Sequence, residues 1–199
     1  MTESASRRTF LKTAGVAAAA LTLPVSGQEP SNAPAPRIVA GPYLQHVAPG
    51  AATVMWVTDT PCLSWVDYGP TPELGNRLQN SRHGLVDAYD VIHRIRISGL
   101  VPGHPCYYRV TSREIALFEP YRVDFGGQVE DAVRQFAPPL PEAGRVDFVV
   151  FNDVHGNGDT WAQLHSLAAR APFDFLAVNG DLLDLIQEHG QVANRFLVP

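Results

Sequence analysis

The chain is expected to be a multidomain β + α/β protein, with an N-terminal antiparallel β-sandwich followed by a single βαβ unit. Three observations carry that expectation. Between Ile38 and Gly126, runs of four to eight residues rich in β-branched and aromatic side chains recur, broken by Gly and Pro. Beyond Gly144, two apolar runs, Val146 to Phe151 and Phe173 to Val178, each stop at a cluster of Asn and Asp. Between those runs Trp161, Leu164, Leu167 and Ala168 recur at helical spacing.

The elements follow in order. Ser6-Arg7-Arg8-Thr9-Phe10-Leu11-Lys12 precedes the weakly apolar run Ala14 to Leu23, too short to span a bilayer and right for a signal-peptide core. This reads as a twin-arginine (Tat) export signal over residues 1–27, cleaved after the small residues ending at Gly27, so the Tat machinery is a partner and the destination is periplasmic or extracellular. The leader carries Arg7, Arg8 and Lys12 against Glu3, a net +2; with a whole-chain charge of −5 the mature chain stands at −7. That acidity gives nucleic-acid binding no electrostatic support, and no membrane span is expected once the signal is removed.

Residues 28–37 hold three prolines and almost nothing to bury, so they are expected to be a linker. The β-sandwich is expected over 38–126, with strands at Ala52–Thr58, Leu63–Tyr68, Val91–Ile97, Tyr107–Thr111 and Tyr121–Phe125. In His93-Arg-Ile-Arg-Ile97 the alternation puts Ile95 and Ile97 on one face and Arg94 and Arg96 on the other. Residues 127–143 are expected to form a second linker, with a short helix at Glu130–Phe136, and His46, His83, His93 and His104 are expected to be surface or packing residues.

Cys62 and Cys106 are expected to stay free. The strand after Cys62 should pair antiparallel with the strand that starts at Cys106, which separates the two by roughly 20 Å. A disulfide needs Cα atoms within about 7 Å.

The polar clusters are where chemistry is expected. In a βαβ unit both strands run parallel, so Asn152, Asp153 and His155 after the first strand and Asn179, Asp181 and Asp184 after the second fall at the same carboxyl edge of the sheet. Asp153, His155 and Asp181 can therefore converge, and two carboxylates with an imidazole suit divalent or trivalent metal ions. Asp159 is expected to cap the helix, His165 to lie on it, and Asn152 and Asn179 to be turn formers.

Those motifs, Asp153-x-His155 and Gly180-Asp181-x-x-Asp184, resemble the calcineurin-like metallophosphoesterases. The resemblance implies that residues 144–199 are the first βαβ unit of a metallophosphoesterase α/β sandwich. It implies further that Asp153 and His155 ligate one metal and that Asp181 bridges two; Asp184 is expected not to ligate directly but to orient a ligand or to cap the helix that follows. The metals would be Fe, Mn or Zn, and the substrate a small phosphate ester. Earlier in the chain, Gly41-Pro-Tyr-Leu-Gln45, Trp56, Leu100-Val-Pro-Gly103 and Tyr107-Tyr-Arg-Val110 resemble the fibronectin type III-like N-terminal domain of purple-acid-phosphatase-like enzymes, with Cys106 where that pattern has Tyr. The family's later Asn-His motif, source of a catalytic His, has no counterpart, and His189 does not fit it. The expectation is thus a phosphoesterase with an incomplete site in a C-terminally incomplete or naturally short chain, inactive alone. The competing expectation is a non-catalytic exported β-sandwich binding module with a degenerate phosphoesterase remnant.

Overall fold

The computed structural model describes residues 35–142, 144–184, 186, 187 and 192; the leader, most of the 28–37 linker and His189 lie outside them. Eleven strands and one helix are present among the described residues: β1 (Ile38–Ala48), β2 (Ala51–Gly69), β3 (Asn76–Leu78), β4 (Ser81–Arg82), β5 (Leu85–Val86), β6 (Asp90–Ser98), β7 (Cys106–Glu119), β8 (Arg122–Glu130), β9 (Arg134–Phe136), β10 (Phe148–Asn152), α1 (Gly158–Ala168) and β11 (Phe175–Asn179).

The β-domain is a curled antiparallel sheet organised by β2. The first half of that strand pairs with β1 and β6, and its second half with β7 and β3. The ladders change partner across Asp59-Thr60-Pro61, so the proline, which cannot donate to a ladder, sits between pairing zones. The two halves of the sheet face each other: Val54, Trp56, Ile95 and Ile97 from one and Val66, Tyr108 and Val110 from the other make one buried cluster. Period-2 alternation accounts for the inward set, with Arg94 and Arg96 exposed between buried His93, Ile95 and Ile97.

Several polar groups trapped in this core are paired, while Trp65 Nε1 and Thr111 Oγ1 are buried without a hydrogen-bond partner. The Trp56 indole donates to Ser112 Oγ at 2.9 Å, and Ser112 Oγ lies 2.8 Å from Ser64 Oγ. At the edge, Asp67 accepts two bonds from the Arg77 guanidinium, at 2.7 and 3.0 Å, while Arg77 also lies 4.7 Å from the Trp65 ring centroid.

Cys62 and Cys106 are both free and buried. Cys62 pairs with Glu114 and Gly69 with Tyr107, so the thiols stand at opposite ends of the β2–β7 ladder, with Cys106 eight residues or roughly 26 Å along β7 from the position opposite Cys62. Burial raises the pKa of both thiols above the ordinary value.

The segment expected to be a linker with a short helix at Glu130–Phe136 differs. β8 continues to Glu130, and Arg134–Phe136 pairs as β9 with Cys106–Tyr108. The start of β7 presents an edge that β8 has not yet reached, and satisfying those backbone groups outweighs a helix of under two turns.

Beyond Gly144, β10 and β11 pair in parallel from Phe148↔Phe175 to Asn152↔Asn179, with α1 between them in sequence. Each strand starts about two residues later than the apolar runs suggest, because Asp147 and Asp174 are bonded to each other just ahead of the ladder. The Asp147 amide donates to Asp174 Oδ2 at 2.8 Å, and the Asp174 amide donates to the Asp147 carbonyl at 2.7 Å. α1 packs Trp161 edge-on against Phe151. The helix is capped by Asn157, not by Asp159: the Asn157 side chain accepts from the Thr160 amide at 3.0 Å, and Asp159 lies in the first turn. No helix among the described residues is long and apolar enough to cross a membrane.

Candidate metal centre

Parallel pairing delivers the ends of β10 and β11 to the same edge, and the last register pair sets the local frame. There Asn179 Nδ2 donates to Asn152 Oδ1 at 2.9 Å, tying the two strand ends immediately before the loops diverge. The loops are then laced together. The His155 amide donates to the Asp181 carbonyl at 2.9 Å and the Gly156 amide to the Leu182 carbonyl at 2.7 Å. Val154, between the candidate ligands, turns inward and is buried.

This lacing holds the backbone in a conformation that residues with a side chain seldom adopt. Asp153, His155 and Asp181 all have positive φ, at 51°, 50° and 25°, as do Gly156 and Gly180 at 64° and 74°. Positive φ at non-glycine residues is uncommon, and such residues cluster at functional sites. At Gly180 it is the backbone that favours glycine: φ is +74°, while a Cβ there would meet Asp153 Oδ1 only at an ordinary contact distance of 3.6 Å.

The result is a convergence of side chains. Asp153, His155 and Asp181 each place a ligating atom within 4.8 Å of the others, and all three are exposed. Ligands on opposite sides of an ion at about 2.0–2.2 Å each stand roughly 4.0–4.4 Å apart, so small side-chain adjustments would close the set around one ion. Two carboxylate oxygens and an imidazole nitrogen are a donor set that Fe, Mn or Zn accepts.

Asp184 is not one of the converging three. It accepts a hydrogen bond from His155 Nδ1 at 2.6 Å. That bond, followed by the negative charges of Asp184, Asp181 and Asp153, raises the His155 pKa above its ordinary value. His165 lies in the last turn of α1, away from this group. A cleft of about 2000 Å³ opens between β1 and the α1–β11 side, with Tyr43, Val47, Trp161 and Leu176 among its lining, and it does not include the Asp153–His155–Asp181 group.

Two elements of the site were not anticipated from residue type. One is the Asn152–Asn179 tie, whose only sequence signal is that each Asn ends its strand. The other is the choice of partner for Asp184, which depends on lacing between loops 29 residues apart.

Residues 4–24 match the TAT (twin-arginine translocation) pathway signal sequence. The chain therefore carries a Tat export signal, directing it to the periplasm or extracellular space. No curated protein matches the chain. Among solved structures it is similar to the purple acid phosphatase PPD1 isolated from yellow lupin (Lupinus luteus) seeds, at 18% identity and a TM-score of 0.48. That similarity covers 75% of this chain, which spans 30% of the lupin structure.

Proposed function

We propose that this chain carries part of the metal site of an exported metal-dependent phosphoesterase, in which a fibronectin type III-like β-sandwich precedes the first βαβ unit of a calcineurin-like metallophosphoesterase domain. The convergence of Asp153, His155 and Asp181 at the carboxyl edge of a parallel strand pair carries the reading. Asp153, His155 and one oxygen of Asp181 would hold the first ion, and the other Asp181 oxygen is available to a second. When bound, such ions supply an activated water and offset the charge that develops on a transferring phosphoryl group. The protein's own residues set the geometry: the Asn152–Asn179 tie and the laced loops hold the three ligands on a common rim. Their exposure leaves the rim open to a small phosphate ester. No protein nucleophile is required.

A second reading, a non-catalytic exported binding module, is favoured by one observation. Among the described residues the converging group offers three side chains, enough to hold one ion and short of a full two-ion centre. One experiment addresses both. The purified protein is titrated with Mn²⁺ or Zn²⁺ by calorimetry, then assayed on a chromogenic phosphomonoester and a diester. Metal binding lost on Asp153→Ala and on Asp181→Ala is the expected result, with turnover absent or very low in this chain alone. Binding that neither substitution affects sinks the site. Metal-dependent turnover that both substitutions abolish sinks the binding-module reading.

A further inference from the structure

An imidazole has two nitrogens, and only the one without a proton can ligate a metal. His155 Nδ1 lies 2.6 Å from Asp184 Oδ1. An ionised carboxylate only accepts, so Nδ1 carries the proton and donates it, leaving the lone pair on Nε2. Free histidine favours the opposite tautomer, with the proton on Nε2. The main chain of His155 is tied to the same loop that supplies Asp184, since its amide donates to the Asp181 carbonyl.

We infer that Asp184 is a positioning residue for this centre: it fixes the Nδ1–H tautomer of His155 and so presents Nε2 to the ion held by Asp153 and Asp181. The inference rests on the metal-site reading above and adds the atom that binds and the group that selects it. The Asp184 side chain is 76% exposed, so its removal leaves no cavity and should not unfold the unit. Carboxylate partners of this kind orient ligating histidines and raise their basicity, and losing one typically costs roughly 10–100-fold in metal affinity.

The test compares the wild type with Asp184→Ala and Asp184→Asn. Two-bond ¹⁵N–¹H correlation spectra of the metal-free proteins in alkaline buffer, where the ring is neutral, report the His155 tautomer. Zn²⁺ calorimetry reports affinity. The wild type should show Nδ1–H. Asp184→Ala should move to Nε2–H and bind Zn²⁺ roughly 10–100-fold more weakly. Asp184→Asn, which keeps an acceptor oxygen, should recover part of both. A wild-type ring protonated on Nε2 overturns the proposal, and so does Asp184→Ala with zinc affinity unchanged. If wild type and Asp153→Ala bind Zn²⁺ equally, the metal reading of the site fails, and the tautomer alone then decides what Asp184 does.

Discussion

Acid should destabilise the β-domain through His93. This residue sits on β6 at 6% exposure, its ring 5.1 Å from that of Trp56. The Thr58 hydroxyl donates its one proton to the Thr60 carbonyl at 2.8 Å, so the 2.9 Å bond between Thr58 Oγ1 and His93 Nε2 is donated by the imidazole. The neutral ring is satisfied, and burial lowers its pKa from 6.5 to about 4. Between those values the unfolded chain binds a proton that the folded chain does not. Stability is therefore full above pH 6.5 and declines as pH falls toward 4. At about 1.36 kcal/mol per pH unit, the loss from pH 7.5 to pH 4.5 is about 2–3 kcal/mol, a large share of the roughly 5–15 kcal/mol typical of a domain. The assay is urea unfolding at both pH values for the wild type and His93→Gln. Stopping at pH 4.5 stays above the range in which Asp59, whose carboxyl is held below its ordinary pKa in the fold with Arg37 bonded to it, takes up its proton. The variant should start less stable and lose markedly less on acidification. Equal losses in the two proteins would refute the reasoning.

Three shorter expectations follow from the same features. Trp56→Ala removes a fully buried ring and the donor to Ser112, and should cost about 3–5 kcal/mol in urea unfolding. Under non-reducing conditions, mass spectrometry should find two alkylatable thiols after denaturation and slow labelling of both in the native protein; a peptide joining Cys62 to Cys106 would contradict the β2–β7 register. Replacing both Arg7 and Arg8 by Lys should leave precursor in the cytoplasm, measured by cell fractionation.

How much of this was legible in the sequence depends on the range of the interaction concerned. The alternation His93 to Ile97 marks the inward face of β6 because period 2 is a local property. The Asp-x-His and Gly-Asp-x-x-Asp spacings put their polar residues directly after apolar runs, where strands must end. By contrast, Asp59-Thr60-Pro61 looks like a break, and β2 runs through it because the two halves of that strand have different partners. β9 has no alternation to betray it, and it exists because the start of β7, about 28 residues earlier, has an edge to fill. At the helix start, Asp159 and Asn157 are both good caps by type. Only the backbone shows that Gly158 is already helical and that the Asn157 oxygen is the one reaching the Thr160 amide.

The same distinction separates the two parts of the chain energetically. The β-domain has a buried core shared between facing layers, whereas α1 has no buried residue and the β10–β11 pair buries only Phe151. Phe148 and Phe175 are stacked at 5.2 Å yet 58% and 49% exposed, and Val150 on the same face is 43% exposed. Parallel strands are normally covered on both faces, and a two-stranded unit with one helix removes little apolar surface from water. Amides of β10 and β11 should therefore exchange with solvent far faster than those of β2 and β7 in the metal-free protein. An ion held jointly by Asp153, His155 and Asp181 would join the loops that follow both strands and bind only the folded arrangement, so exchange at residues 152–156 and 179–182 should slow as metal is added, by a factor that grows with its concentration. Hydrogen-exchange mass spectrometry reads both effects. Protection in metal-free β10 and β11 equal to that of β2 would show that this unit does not depend on its metal-binding loops for order.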